Sequence, residues 1–392
     1  MQILDLFAWA LLAGSALGCL YLWYACHAVR GFCRRAAPPL PAGAAPPVSI
    51  LKPLHGEDAA LAENLRSFCR QDYPVFQLVF GVADANDPAV AVVKALMAEF
   101  PSRDMALVVD SRRRGANFKV ANLGNMLPAA RHPILVIADS DMRVAPAYLA
   151  EVVAPLLEGG AAPAAGLVTC LYRGVSGGGL WSDLAALHIN HGFLPQAVVA
   201  ERLGLGAGCF GATMALTRAT LDAVGGFESL IDTLADDHEL GQAVRRSGRA
   251  VVLSPRLVDN IVAEPGFAAL YRHELRWART IRLAAPAGFA GSVITHPAPL
   301  ALIATALGVL PLAAPAMLAV ALLSRWLAAR RIDRALGLAP RPLWLLPLRD
   351  LLSFTVFLAS FLGRNVAWRD HHFRVGASGR MTVDGESPVR PV

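Results

Sequence analysis

Two textures alternate along this chain. Residues 3–29 are apolar with Asp5 as the only formal charge, and residues 292–324 carry no charge at all. Between them, from about residue 46 to 289, short apolar runs alternate with amphipathic stretches. The first run exceeds the roughly 20 residues a helix needs to cross a hydrocarbon core and predicts one transmembrane helix. The uncharged stretch 292–324 is long enough for two short spans, with Pro311 and Pro315 placed to break it into a hairpin. A last apolar segment, 343–362, holds Arg349 and Asp350 near its start and predicts either a third C-terminal span or a helix lying in the interface.

The middle of the chain alternates period-two and helical patterns. Residues 47–51, 76–82, 106–109 and 134–138 read as strands, and 59–69, 88–100, 118–130 and 146–157 as the helices that follow them. Short buried runs alternating with helices predict an α/β, Rossmann-type domain with a mostly parallel sheet covered on both faces. Further helices are expected over 237–247 and 267–283, and a partly apolar one over 180–199 near the interface. His188 and His191, in that last segment, are expected as packed or hydrogen-bonded histidines. The predicted organisation is a transmembrane helix over 1–30, a linker over 31–47, semi-rigid where it is rich in proline and alanine, an α/β domain over 48–289, two or three membrane segments over 290–365, and a tail over 366–392.

Composition agrees with a mixed architecture. At 55% hydrophobic over 392 residues the chain is too apolar for an ordinary soluble enzyme and too interrupted for an all-membrane bundle. The net charge of +6 raises nucleic acid as a partner, but the arginines cluster beside the apolar runs and not along an aromatic-rich stripe, which excludes nucleic acid and favours the lipid bilayer. Arg30, Arg34 and Arg35 follow the first apolar run, the wrong side for a signal peptide, and the positive-inside rule puts that end of the helix in the cytoplasm. A hairpin over 292–324 returns Arg325, Arg330, Arg331 and Arg334 to the same side, and Arg364, Arg369 and Arg374 argue against export of the tail. The six cysteines show no CxxC pairing and no zinc-like spacing, so they are expected as reduced thiols.

In parallel sheets ligands bind off the carboxyl ends of the strands, which singles out Asp84 and Asp87 after the second strand and Asp139 and Asp141 after the fourth. An aspartate after a strand also caps turns and helices, so each alone is open. The pair in Asp139-Ser140-Asp141 is sharper, because two hard carboxylates at one cleft mouth suit Mg²⁺ or Mn²⁺ bridging a diphosphate. Lys119 starts a helix, where it either reaches a phosphate or stands in solvent. Asp236 and Asp237 begin another, where the helix dipole alone would favour them. Arg272, Arg276, Arg279 and Arg282 recur along one side of the helix over 267–283, suited to lipid headgroups, to a diphosphate, or to both. Gly177-Gly178-Gly179 is a flexible turn and not a phosphate loop, since no GxxxxGK[ST] follows.

The order Asp84/Asp87, Asp139-Ser140-Asp141, Asp236-Asp237, Arg276-Trp277 resembles the D, DxD, D, QxxRW series of inverting family 2-like glycosyltransferases. Leu51-Lys52-Pro53-Leu54 and Asn86-Asp87-Pro88-Ala89 resemble the corresponding stretches of ceramide glucosyltransferases and their bacterial hopanoid-glycosylating relatives. Residues 273–282 and 190–195 are more similar to the hopanoid enzymes that attach N-acetylglucosamine to bacteriohopanetetrol. The resemblance covers nearly the whole chain. It implies a GT-A fold and transfer of one hexose-type sugar, N-acetylglucosamine or glucose, from a UDP-sugar donor to a hydroxyl of a membrane lipid acceptor. A hopanoid ranks first, ahead of ceramide, of a processive polysaccharide synthase, and of a non-catalytic membrane scaffold.

The resemblance also implies roles. Asp237 is the general base, with Asp236 orienting the motif or acting instead; Asp139 and Asp141 bind the metal, Asp139 also touching the donor; Asp84 or Asp87 contacts the nucleoside; Arg276 and Trp277 meet the diphosphate and the donor or acceptor. His273 stands where the motif usually has Gln or Arg, and its imidazole still donates a hydrogen bond. The implied location is the bacterial inner membrane, multi-pass, with the catalytic domain cytoplasmic.

Overall fold

Strand β1 (Val48–Pro53) shows why this sequence folds as a doubly covered sheet: Ile50 and Leu51 point to opposite faces and both are fully buried. The same holds along β2 (Phe76–Val82) and β4 (Ile134–Ile137), where every residue is buried. One face packs Ile50, Leu78, Phe80 and Val136 against Phe68 and Tyr148. The other packs Leu51, Val79 and Ile137 against Leu123, Met126 and Leu240. Each such apolar side chain contributes roughly 1.5–3 kcal/mol.

The computed structural model describes every residue except 1, 41–42, 44, 57–59, 158–163, 206–207, 340, 364, 369–370, 376–380 and 384–392. Arg364, Arg369 and most of the expected tail therefore lie outside the described residues, as does the first residue of the helix expected over 59–69. The chain divides into two units, an α/β unit of Arg35–Gly177, Gly206–Ala263 and Arg369–Val392, and a helical unit of Met1–Arg34, Gly178–Leu205 and Glu264–Trp368.

In the α/β unit, β1, β2, β3 (Asp104–Val109) and β4 are parallel neighbours, with helices α2 (Leu61–Cys69), α3 (Ala89–Glu99) and α4 (Phe118–Met126) between successive strands. Asn117 caps α4 by accepting the Val120 N–H at 3.1 Å. The expected helix near 118–130 is shorter, giving way to a 3₁₀ turn at Leu127–Ala129 where Pro128 lacks the N–H to continue. Beyond β4 come β5 (Met142–Arg143), α5 (Tyr148–Leu157), β6 (Ala165–Ser176), β7 (Met214–Thr217), α8 (Arg218–Ala223), α9 (Asp236–Arg246) and β8 (Ala250–Val262). The strand order is β3-β2-β1-β4-β7-β6-β8-β5. The parallel reading holds for the first four strands and for β6 with β8, while β7 runs antiparallel to both its neighbours and β5 antiparallel to β8. The sheet is therefore mixed in its second half, which the strand–helix alternation up to residue 157 did not reach.

The helical unit holds α1 (Gln2–Phe32), α6 (Leu180–His188), a π-helical turn at Ile189–Phe193, α7 (Leu194–Arg202), α10 (Phe267–Ala284), α11 (Pro286–Gly291), α12 (Pro297–Ala306), α13 (Ala313–Leu336) and α14 (Leu346–Ser360). Among the described residues Gln2–Phe32, Ala313–Leu336 and Leu343–Ser360 are long and apolar enough to cross a membrane. The stretch 292–324 divides at residues 307–312, which include Pro311, into two helices of unequal length. Its first half is α12, at 10 residues only about 15 Å long, which joins Pro286–Thr295 across a 65° bend. Its second half belongs to α13, which starts at Ala313, accommodates Pro315 in its first turn and carries Arg325, Arg330, Arg331 and Arg334 within the helix instead of after it. Helix α1 closes on the bend: a Cβ at Gly18 would stand 2.3 Å from the Ile294 carbonyl oxygen, and Ser15 Oγ donates to Pro297 O at 2.9 Å. The six cysteines are free thiols.

Candidate active site

The carboxyl ends of β1 and β4 lie side by side, and the first residue they offer is one the motif reading passed over. Lys52 sits near the end of a mostly apolar strand, fully buried, its ammonium 3.9 Å from the centre of the Phe68 ring and donating to the backbone carbonyl of Asp139. Burial lowers its pKa to about 7, against the pull of Asp139 and Asp141. A lysine in a two-sided buried strand is itself the signal that would have found it. It ties β1 to the start of the Asp139-Ser140-Asp141 turn.

Lys119, at the start of α4, is not a solvated lysine. Its Nζ lies 2.6 Å from Asp139 Oδ1 and 3.8 Å from Asp236 Oδ2. Burial alone would lower its pKa, but Asp139, Asp236 and Asp237 outweigh that and hold it above its ordinary value, so it stays charged. Asp236 is held a second time by Asn117 Nδ2 at 3.3 Å, the residue that also caps α4. Asp237, next on α9, accepts the Gly211 N–H at 2.9 Å and its neighbour His238 N–H at 2.7 Å. Burial and the adjacent Asp236 push the Asp237 carboxyl up to about 6, with Lys119 and the two backbone N–H groups opposing. Asp141 is raised by burial and by Asp139, against the hydrogen bond it accepts from Asn260 Nδ2 at 2.8 Å.

Gly211 is the point at which these groups meet. A Cβ there would stand 3.0 Å from Asp139 Oδ2, 3.1 Å from Lys119 Nζ and 3.6 Å from Asp237 Oδ2. Its backbone permits alanine, since its φ is not in the left-handed region. Gly211→Ala should therefore fold with an unchanged circular-dichroism spectrum while displacing the tips of Asp139 and Lys119 by a few tenths of an ångström. Sugar transfer should fall about tenfold, by the sensitivity of reacting groups to such shifts. Unchanged transfer would mean that these tips do not act.

The cluster fits a divalent cation. Asp139, Asp141, Asp236 and Asp237 face Lys119 and a Lys52 whose charge is weakened by burial, so negative charge is in excess. Asp141 Oδ1 is buried without a hydrogen-bond partner, an orphan of the kind a cation satisfies. Among the described residues no three His, Cys, Asp or Glu side chains converge as a complete ligand set, so a cation held by Asp139 and Asp141 would need further ligands from outside the protein.

The other candidates fall elsewhere. Asp87 accepts the Gly56 and Ala89 N–H groups at 2.9 Å each, joining the loop after β1 to the start of α3. Asp84 is exposed and accepts the Asn86 N–H at 2.9 Å. Of the two, Asp87 is committed to the backbone and Asp84 faces solvent. His273, Arg276 and Trp277 belong to α10 in the helical unit. His273 Nδ1 pairs with Glu264 Oε1 at 2.8 Å and its ring centre lies 4.2 Å from that of Trp277. The basic stripe on that helix divides by function: Arg279 and Arg282 donate to the carbonyls of Leu362 and Gly363 at 2.8 and 3.0 Å, capping the chain that leaves α14. His191 is buried with Nε2 2.8 Å from Asp333 Oδ1, as a hydrogen-bonded histidine should be. Sequence patterns gave no sign of Asn260 or Gly211, since both act through contacts distant in sequence, Asn260 with Asp141 and Gly211 with Asp139, Lys119 and Asp237.

With this geometry in place, the glycosyl transferase family 21 model matches residues 10–381. The chain belongs to that family. Ceramide glucosyltransferase 1 of Caenorhabditis elegans is 26% identical over 210 residues, 53% of this chain and 44% of that protein. Ceramide glucosyltransferase 3 of the same organism is 37% identical over 95 residues, 24% of this chain and 21% of that protein. The ceramide glucosyltransferase of Komagataella phaffii is 34% identical over 101 residues, 25% of this chain and 20% of that protein. The matched stretches span less than half the length of these relatives. Among solved structures, a mannosyltransferase from Pyrobaculum calidifontis in complex with GDP-Man and Mn²⁺ superposes with a TM-score of 0.55 at 22% identity, covering 91% of this chain and 99% of that one. That likeness identifies the fold as GT-A.

Proposed function

We propose that this family 21 member moves one hexose-type sugar, N-acetylglucosamine or glucose, from a UDP-sugar to a hydroxyl of a membrane lipid, with inversion at the anomeric carbon. The observation that carries this reading is the meeting of Lys119, Asp139 and Asp237 around Gly211, in a chain with three helices, among the described residues, long and apolar enough to cross a bilayer. Asp237 takes the proton of the acceptor hydroxyl as its oxygen bonds to the anomeric carbon, and the bond from that carbon to the diphosphate breaks with its electron pair leaving on UDP. A carboxyl pushed up to about 6 is suited to that work near neutral pH. Asp139 and Asp141 would hold Mg²⁺ or Mn²⁺, which when bound supplies charge stabilisation to the departing diphosphate. Lys119 fixes Asp139 and stays cationic beside it, and Asp236 holds Lys119 from the other side. Asp84 contacts the nucleoside in this reading, Asp87 serving the fold; Arg276 helps neutralise the diphosphate, and His273 holds Trp277 against donor or acceptor.

The arginines after α1, Arg30, Arg34 and Arg35, favour a multi-pass protein of the bacterial inner membrane with the α/β unit in the cytoplasm. A hopanoid, bacteriohopanetetrol, is the first acceptor, on the similarity of residues 190–195 and 273–282. Ceramide is the second, favoured by the names of the curated relatives. Mass spectrometry of polar lipids from cells with and without the chain separates them: a glycosylated hopanoid should vanish with the protein. Loss of a glucosylceramide instead would move the assignment to ceramide, and an unchanged lipid profile would remove the lipid-acceptor reading.

A further inference from the structure

Glu274 stands inside the motif helix α10, between His273 and Arg276-Trp277, yet it is buried. Leu270 and Glu274, one turn apart, are the buried residues of this 18-residue helix. A buried charge fixes the face of a helix that turns inward only where it finds a partner, and here the partner is an arginine from the last apolar helix, with Arg279 and Arg282 holding the far end of α10 to the chain after α14. Arg349 of α14 is fully buried and forks onto Glu274, Nη1 to Oε1 and Nη2 to Oε2, both at 2.7 Å. Arg349 also donates to the Leu184 carbonyl of α6 at 3.3 Å and to Ser353 Oγ at 3.1 Å. Its neighbour Asp350 turns the other way and accepts from Arg325 Nε of α13 at 3.0 Å, while Arg325 Nη1 donates to the His191 carbonyl of the π-helical turn, also at 3.0 Å. One dipeptide thus joins α10, α6, α13 and the π turn.

Charges inside apolar helices are costly and persist where they carry function. At 3.6 residues per turn Arg276 lies about 200° round α10 from Glu274, so fixing Glu274 on the inner side sets the face on which Arg276 stands. We propose that Arg349 is a positioning residue for sugar transfer, acting through Glu274 to fix the rotation of α10 and hence the placement of Arg276. On this account α14 is part of the transferase machinery and not only an anchor. The inference rests on the role given to Arg276 above.

The test uses the full chain in lipid nanodiscs with Mn²⁺, UDP-N-acetylglucosamine and bacteriohopanetetrol, or UDP-glucose and ceramide if lipid analysis gives that product. Glu274→Met with Arg349→Met replaces the buried pair by apolar groups of similar size, a change that often leaves stability intact. Its Tm should stay within a few degrees of the parent while kcat per folded molecule falls about 100-fold, the cost of misplacing a group by an ångström. The affinity for UDP with Mn²⁺ should fall by much less than kcat, because Asp139 and Asp141 are untouched and Arg276 matters most as charge develops on the departing diphosphate. Arg349→Lys keeps the charge but loses the planar fork, and should fall between the two. A kcat within twofold of the parent in the double variant overturns the proposal. Should that variant not fold, an unchanged kcat in Arg349→Lys overturns it equally. Arg276→Ala separates the two readings: if it leaves transfer intact, the role of Arg276 is what fails, whereas loss of transfer in Arg276→Ala with none in the pair variants defeats the positioning role alone.

Discussion

Asp237→Asn should lose sugar transfer by about 10²–10⁴-fold, the range associated with removing a positioned general base, while still binding UDP and Mn²⁺. The amide keeps the size of the carboxylate, and its oxygen can still accept one of the two N–H groups that hold it, from Gly211 or His238. The loss should therefore lie in kcat. The parent protein supplies a second readout. A base works when ionised, and burial with Asp236 alongside pushes the Asp237 carboxyl up to about 6, so kcat/KM should fall as pH drops through that region. A cation bound by Asp139 and Asp141 adds positive charge to the cluster and moves the midpoint down from about 6, never up. An Asp237→Asn protein with full activity, or a parent rate flat from pH 7 to 4.5, would assign the base elsewhere. Asp236→Asn is the informative companion. Asp236 is tied to Asn117 and Lys119, so its variant should perturb the site less and keep the acid limb.

Residue patterns reached the fold through its most regular part. The runs at β1, β2 and β4 are buried on both faces, so most positions are apolar, Ser49, Lys52 and Gln77 being the polar ones, and the strand is visible without its partners. The second half is less legible because β7 is four residues long and its antiparallel place between β4 and β6 is set by contacts distant in sequence. The membrane segments show the same limit. An uncharged run tells how much chain can be buried in lipid, but not the 65° bend beside α12, where Ile294 and Pro297 close against Gly18 and Ser15 of α1. At the site, carboxylates at strand ends pointed to the crevice, and Asp139, Asp236, Asp237 and Lys119 do come together there. What the pattern could not supply was the supporting chemistry. Lys52 lay just past the expected strand 47–51, Arg349 stood near the start of an apolar segment, and nothing gave Gly211 or Glu274 a role. Each acquires its role from a neighbour that folding delivers.

Removing the cation site should be nearly as damaging as removing the base, and by a different route. Asp139→Ala takes away the residue that pairs with Lys119 at 2.6 Å and stands closest to the space at Gly211. Asp141→Asn takes away the buried oxygen that has no partner, while leaving an amide oxygen able to accept from Asn260. Each should reduce transfer about 10²–10³-fold, the scale of losing a preorganised group that stabilises departing charge. Chelation of Mg²⁺ and Mn²⁺ should reproduce that loss in the parent and add little to it in either variant. A readout independent of turnover distinguishes a lost cation from a damaged fold. Mn²⁺ at 100 times its Kd should raise the stability of the parent by about 2.7 kcal/mol, read as a rise in Tm, if it binds the folded state alone. In Asp141→Asn the same Mn²⁺ should leave Tm unmoved, although the variant unfolds cooperatively without metal. A full Mn²⁺ shift in both variants would place the cation away from these carboxylates and leave Lys119 as the charge that meets the diphosphate. Asp139 would then act by holding that lysine, and Lys119→Met would become the more damaging change.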